Sequence, residues 1–209
     1  MKSIAKLSTY LFLVAFVMSP LLSQAQMGDS RFGVKGGVNF SNFNRGDVGT
    51  QNVRIGFNLG LFTELAVGEN FSIQPELLLS TKGNRATYDI VGVENEVKTN
   101  LTYIDIPVLA KVTIGEILNI HVGPYASYLI GANASADGDV FNGSREIDRD
   151  NFKTWDYGLA AGLGVDIDVV TIGGRYNLGL VNVAKTAAAE TILDNSKNSV
   201  LQVYVAVGF

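Results

Sequence analysis

The chain has 209 residues, a length that suits one domain of ordinary size. Charged residues make up only 17% and hydrophobic ones 47%, against roughly 25% charged in an average soluble domain, so water alone is a poor solvent for the whole exterior. A net charge of −4 argues against a nucleic-acid partner, and zero cysteines exclude a disulfide framework.

The first 25 residues are expected to be a cleaved signal peptide. Lys2 and Lys6 supply a positive start, Leu7 to Leu22 an apolar stretch, and Ser23-Gln24-Ala25 a small-x-small site before Gln26. Pro20 argues against a retained anchor helix, and the lack of cysteine excludes a lipid-modified amino terminus. Removing the two lysines takes the net charge from −4 to −6. Residues 26–209 then form the mature domain.

Beyond residue 25 no stretch reaches the ~18 consecutive apolar residues that a spanning helix needs. The pattern has period two instead, which marks strands with one apolar face. Phe32 to Phe40 sets Phe32, Val34, Val38 and Phe40 against Lys35, Gly37 and Asn39. Val53 to Leu65 sets Ile55, Phe57, Leu59 and Leu61 against Arg54, Gly56, Asn58 and Gly60. Phe71 to Thr81 sets Ile73, Leu77 and Leu79 against Gln74, Glu76 and Ser80. Leu101 to Ile114 places Ile104, Ile106, Val108 and Val112 opposite Tyr103, Asp105 and Lys111. Leu118 to Ile130 places Ile120, Val122, Ala126 and Tyr128 opposite Asn119, His121, Tyr125 and Ser127. In Trp155 to Val169 the alternation is cleanest, with Trp155, Tyr157, Leu159, Leu163, Val165 and Ile167 against Asp156, Gly158, Gly162, Gly164 and Asp166. Thr171 to Leu180 and Leu201 to Phe209 complete a set of eight.

Connections alternate in length. Short ones are expected near Val67–Asn70, Gly115–Ile117 and Val169–Thr171; long polar ones at Ser41–Asn52, Gly83–Asn100, Gly131–Lys153 and Asn182–Ser199. The reading is an all-β, eight-stranded antiparallel up-and-down transmembrane barrel with short periplasmic turns and long extracellular loops. Period two alone would also fit a soluble barrel whose apolar face points inward. The other face decides, because Gly56, Gly60, Gly158, Ala160, Gly162, Gly164 and Gly173 are in phase with the polar residues. Small groups mixed with a few charges suit the crowded interior of a narrow barrel, which leaves the apolar face to lipid. Aromatic residues fall near strand ends, with Phe32, Phe71 and Phe209 at one end and Phe40, Tyr128, Trp155 and Tyr157 at the other, as two interfacial girdles would require.

Several segments resemble the PorT-like outer-membrane β-barrel family common in Bacteroidetes: FGVKGGVNFSNF near the start, TYIDIPVLAKV in the centre, GPYASYLIGA, and GGRYNLGLVN near the end. The pattern Tyr-x-(Asp/Glu)-Ile-Pro at Tyr103 to Pro107 and Arg-Tyr-x-x-Gly-Leu at Arg175 to Leu180 are its more specific elements. The resemblance spans nearly all of the mature chain and implies fold and outer-membrane location, with little about activity. Terminal Phe209, with apolar residues at every second position before it, looks like the assembly signal read by the outer-membrane insertion machinery.

Nine charged residues are expected to project into the lumen: Lys35, Arg54, Glu64, Glu76, Asp105, Lys111, Asp156, Asp166 and Arg175. Buried charge must be paired, so these read as a plug of ion pairs, with Asp166 and Arg175 expected to meet across the turn at Val169–Thr171. The alternative is a narrow polar path for small solutes. His121 is the only histidine; a metal site or hydrolytic triad needs further converging groups, so it reads as a satisfied interior residue, and a lipid-modifying barrel enzyme is the weaker alternative. Asp137, Asp139, Glu146, Asp148 and Asp150 give the third long loop an acidic character without the spacing of a calcium loop. The expected role is structural or interactive, through the outer loops, for a monomer with no catalytic residues, no metal and no cofactor. Its partners would be outer-membrane lipid, the insertion machinery during assembly, and an unidentified external or periplasmic molecule.

Overall fold

A computed structural model describes residues 30–44, 53–90, 93–137, 143–146, 152–182 and 197–209; the expected signal peptide at 1–25 lies outside them. Nine strands are described: β1 (Arg31–Asn44), β2 (Arg54–Ala66), β3 (Phe71–Ile90), β4 (Val93–Ile114), β5 (Leu118–Asp137), β6 (Gly143–Glu146), β7 (Trp155–Ile167), β8 (Val170–Asn182) and β9 (Lys197–Gly208). Eight of them close one antiparallel barrel, each paired to its neighbours, with β9 returning to pair with β1. Four-residue β6 only extends the upper part of β5. Closure gives the backbone groups ladder partners, as hydrocarbon demands.

The two faces sort as the period-two pattern requires. Outward-facing Leu59 and Leu163 are 59% and 62% exposed, whereas inward-facing Lys35, Asn39 and Arg175 are 1%, 0% and 1% exposed. In water this arrangement would be inverted; against acyl chains it is stable. Aromatic rings gather at both rims. Phe32 and Phe209 meet edge to face at 5.8 Å between ring centres, and at the opposite rim Trp155 lies 5.0 Å from Tyr128 and stacks on Tyr157 at 6.1 Å. Residues Phe32 and Phe209 also exchange both backbone hydrogen bonds, at 3.1 and 2.8 Å, so the two described chain ends share one rim. We call that rim periplasmic and the other outer.

Short turns join strands at the periplasmic rim. Gly115, at φ +66°, opens the turn before β5, a conformation that costs glycine little. The β7–β8 turn sits at Asp168–Val169, one residue earlier than expected, and Asp168 takes the left-handed conformation at φ 56°, which aspartate tolerates better than most residues. Close approach explains Gly60 in the interior, where a Cβ would lie 2.0 Å from the carbonyl oxygen of Leu77.

Two expected loops are partly strand. Gly83–Asn100 is a hairpin in which β3 and β4 stay paired from Gly83↔Asn100 to Ile90↔Val93. Within Gly131–Lys153, β5 continues to Asp137 and pairs with β6. There the strict alternation of apolar and polar residue types is lost from the sequence, although the backbone ladder continues. Residues 45–52 and 183–196, the greater part of the other two long loops, lie outside the described residues, as do Asp139, Asp148 and Asp150; Asp137 and Glu146 end β5 and β6.

Candidate functional site in the charged interior

Because inward side chains recur every second residue on each strand, the lumen is filled in layers. Nearest the periplasmic rim, Glu64 from β2 accepts hydrogen bonds from Arg31 and Lys111, both at 3.0 Å, and from Ser72 at 3.0 Å. Lys111 also pairs with Asp166 at 3.2 Å. Asp166 accepts from Asn119 at 3.0 Å and from Thr171 at 2.5 Å.

The central layer is the most tightly knit. Arg175 from β8 donates to both oxygens of Glu76 from β3, at 2.6 and 2.8 Å, in the bidentate geometry that gives the strongest ion pairs. Lys35 from β1 reaches the same carboxylate at 3.3 and 3.4 Å, and Gln74 donates to it at 2.7 Å. One carboxylate thus serves two cations. The extra positive charge is met by Tyr204, whose ring centre lies 3.8 Å from Lys35 Nζ and 5.4 Å from the Arg175 guanidinium carbon. His121 is held within this layer. Its Nε2 accepts from Arg175 Nε at 3.2 Å, which assigns the proton to Nδ1, and Nδ1 donates to Asn119 Oδ1 at 3.1 Å. Gly162 leaves room for the ring, since a Cβ there would stand 2.5 Å from Nε2.

In the outer layer Lys82 donates to Asp105 at 2.9 Å and to Ser127 at 3.0 Å, with Asp156 at 4.0 Å. Its ammonium sits between the rings of Tyr103 and Tyr125, at 4.9 and 5.0 Å from their centres. Asp156 Oδ2 accepts from Asn198 at 2.8 Å and from Tyr125 at 3.5 Å. Asn39 links β1 to β2 and β3 through Asn58 and Ser80.

Of the nine residues expected in the lumen, Lys35, Glu64, Glu76, Asp105, Lys111, Asp156 and Arg175 are buried; Arg54 and Asp166 are partly so. The expected pairing of Asp166 with Arg175 does not occur. Register places Asp166 opposite Thr171 and Arg175 opposite Gly162, and each charge finds its counter-ion across the lumen instead. Arg54 joins no ion pair among the described residues, and its Nη1 is buried without a hydrogen-bond partner among them. Sequence reasoning missed Lys82, whose signal was the continuation of the Ser80 phase by one more step, and Asn198 as lumen groups; Tyr204 lies on the inward phase expected from the alternation of Leu201 to Phe209, with no role assigned to it there.

Chemically the layers bind each other. A cavity of about 10 Å³ between the lower layers, lined by Glu64, Gln74, Lys111, Asn119, Thr171 and Tyr204 among others, is no larger than about one water needs. Among the described residues no three His, Cys, Asp or Glu side chains converge as metal ligands. Both ring nitrogens of His121 are engaged by Arg175 and Asn119, and neither by a nucleophile.

Comparison with known proteins bears on the fold and its location. The family profile described as outer membrane protein beta-barrel domain matches residues 23–185. Among solved structures the chain is similar to Ail, the attachment invasion locus protein of Yersinia pestis, at 14% identity over 87% of this chain and 100% of that one, with a TM-score of 0.46. It is also similar to Neisserial surface protein A (13% identity, 87% and 100% coverage, TM-score 0.47). A major outer membrane protein from Thermus thermophilus gives 14% identity, the same coverage and a TM-score of 0.48. Among curated protein sequences none matches this chain.

Proposed function

This chain belongs to the outer membrane protein beta-barrel domain family and is integral to the outer membrane, and within that setting we propose a sealed barrel that acts through its outer surface. The observation that carries the reading is the central layer, where Glu76, Arg175 and Lys35 knot three strands across the lumen. An eight-stranded interior is about the width that side chains fill, and here they fill it with paired charge. What remains available to other molecules is the outer end, where the β3–β4 hairpin and the β5–β6 extension continue the sheet. A structural or interaction role follows, for a monomer assembled with Phe209 as the signal to the insertion machinery; the PorT-like motifs around Tyr103 and Arg175 support placing it in that narrower group. The engagement of His121 supports a non-enzymatic reading.

Three measurements test this. In planar bilayers the purified barrel is expected to give no unitary current steps; steps that change with Glu76→Gln would replace the sealed barrel by a channel for small solutes. In cells lacking the chain, a barrel in which residues 85–98 are replaced by a two-residue turn should insert and show heat-modifiable mobility yet fail to restore function. Full rescue by that trimmed barrel would remove the hairpin from the proposed role. A changed lipid A profile on His121→Ala would argue for the enzyme.

A further inference from the structure

Charge in the described lumen balances except at one residue. Near the periplasmic rim Arg31 and Lys111 face Glu64 and Asp166. In the centre Lys35 and Arg175 share Glu76, and in the outer layer Lys82 faces Asp105 and Asp156. The extra cation of the centre therefore offsets the extra carboxylate of the outer layer. Arg54 is left over. It joins no ion pair among the described residues, and its Nη1 is buried without a hydrogen-bond partner among them.

The position of Arg54 makes that charge reachable from outside. It opens β2 at the outer end, and its pairing with Ser41 is the outermost rung described between β1 and β2. Arg54 shares the inward phase of Gly56 and Asn58, so its side chain belongs to the mouth of the lumen and not to the lipid face. The residue is only partly buried, whereas Lys35, Lys82 and Arg175 are almost wholly so. Solvent reaches it, yet one amino group of the guanidinium has lost its water without gaining an acceptor. Its backbone and stem are held in place. The Ser41 hydroxyl lies 3.2 Å from the Arg54 carbonyl oxygen and 3.1 Å from that of Gly83, and Arg54 Cδ packs over Gly83, 3.2 Å from where a Cβ would stand. Asn100, the register partner of Gly83, has a buried Oδ1 that also lacks a partner, but a neutral amide cannot cancel a charge.

A desolvated, unpaired cation is costly, and an anion that pairs with it removes the cost. A guanidinium presents parallel N–H donors that match two oxygens of a carboxylate, phosphate or sulfate, a match that a spherical halide cannot make. We propose that Arg54 binds an oxyanion at the outer mouth, taking the phosphate, sulfate or carboxylate group of a soluble molecule from the external medium. Its inward phase favours a soluble ligand over a lipid headgroup. The inference does not depend on the sealed-barrel reading: unitary current steps would refute the seal and leave this site standing.

The test uses the folded barrel in zwitterionic detergent at constant pH and ionic strength. When inorganic phosphate replaces chloride, the thermal midpoint of the parent should rise and level off, as ligand binding requires and general salting does not. Arg54→Gln should lose the saturable part, and Arg54→Lys, which keeps the charge without the fork, should retain some of it. Arg31→Gln, which removes a cation from the opposite rim, should respond as the parent does. A parent midpoint with no saturable rise, or a rise that survives in Arg54→Gln, would overturn the site. So would a response to lipopolysaccharide without one to phosphate, which would point to a headgroup. Should Arg54→Gln fail to fold, phosphorus-31 line broadening of phosphate by the parent decides: excess width displaced by sulfate but not by chloride supports the site, and no excess width, or displacement by chloride, refutes it.

Discussion

Glu76→Gln isolates the central layer with the smallest change of shape. The Glu76 side chain has no exposure, and it accepts hydrogen bonds from Arg175, Lys35 and Gln74. Substituting Gln keeps the volume, removes the charge, and leaves two buried cations facing an amide whose NH₂ group has no acceptor. Breaking a buried pair by removing one partner costs about 3–5 kcal/mol, and for a domain of this size each kcal/mol moves the midpoint by roughly 2–4 °C. A fall of about 10 °C is therefore expected. Heat-modifiable gel mobility follows it, as does the fluorescence of Trp155, the single tryptophan. Adding Lys35→Met to the same chain removes one of the stranded cations and should recover part of the loss. By contrast, Arg31→Gln breaks a pair whose arginine is 36% exposed, and exposed pairs contribute about 1 kcal/mol or less. Should Glu76→Gln melt within about 2 °C of the parent, less than the shift from a single kcal/mol, the central layer is not what holds the barrel shut.

Three further changes probe other parts of the fold. Leu163→Arg places a charge on the lipid face, 62% exposed in the parent, and should cost about 2–4 kcal/mol near the midplane, measured by reversible unfolding into urea with lipid vesicles. Gly60→Ala drives a methyl group into the Leu77 carbonyl at 2.0 Å and should leave little folded material on a heat-modifiability gel, whereas Gly68→Ala, with nothing within 4 Å of the added carbon, should fold as the parent does. Phe209→Ala removes the edge-to-face contact with Phe32 and the proposed assembly signal; insertion in cells should slow, while refolding from urea into detergent changes far less, a difference that equal slowing in both would abolish.

Much of the barrel was legible because lipid and lumen impose opposite demands on alternate residues. Trp155 to Ile167 shows this most plainly: every second side chain had to be greasy, and the glycines between them had to be small. The same rule found Lys35, Glu76 and Arg175 as inward groups. It could not pair them, because adjacency along a hairpin suggests Asp166 for Arg175, whereas the closed lumen brings Glu76 from the opposite wall. Nor could it follow β3 and β4 past Gly83 and Asn100, where the alternation stops although the ladder continues. The β8–β9 register slip between Leu178 and Asn182 was invisible as well: such a slip leaves residue types unchanged and alters only what they face.

Pairing of β1 with β9 makes the first and last described strands neighbours, as Val34 and Val207 are. That seam joins residues more than 150 positions apart, so it cannot zip until nearly the whole polypeptide has crossed the periplasm. Until then two unsatisfied strand edges must be shielded, because hydrocarbon offers them no hydrogen bonds. Local hairpins can pre-form, but commitment to the bilayer waits on the carboxyl-terminal segment. Before that last pairing forms, the topology thus leaves both of its terminal strands with an open edge.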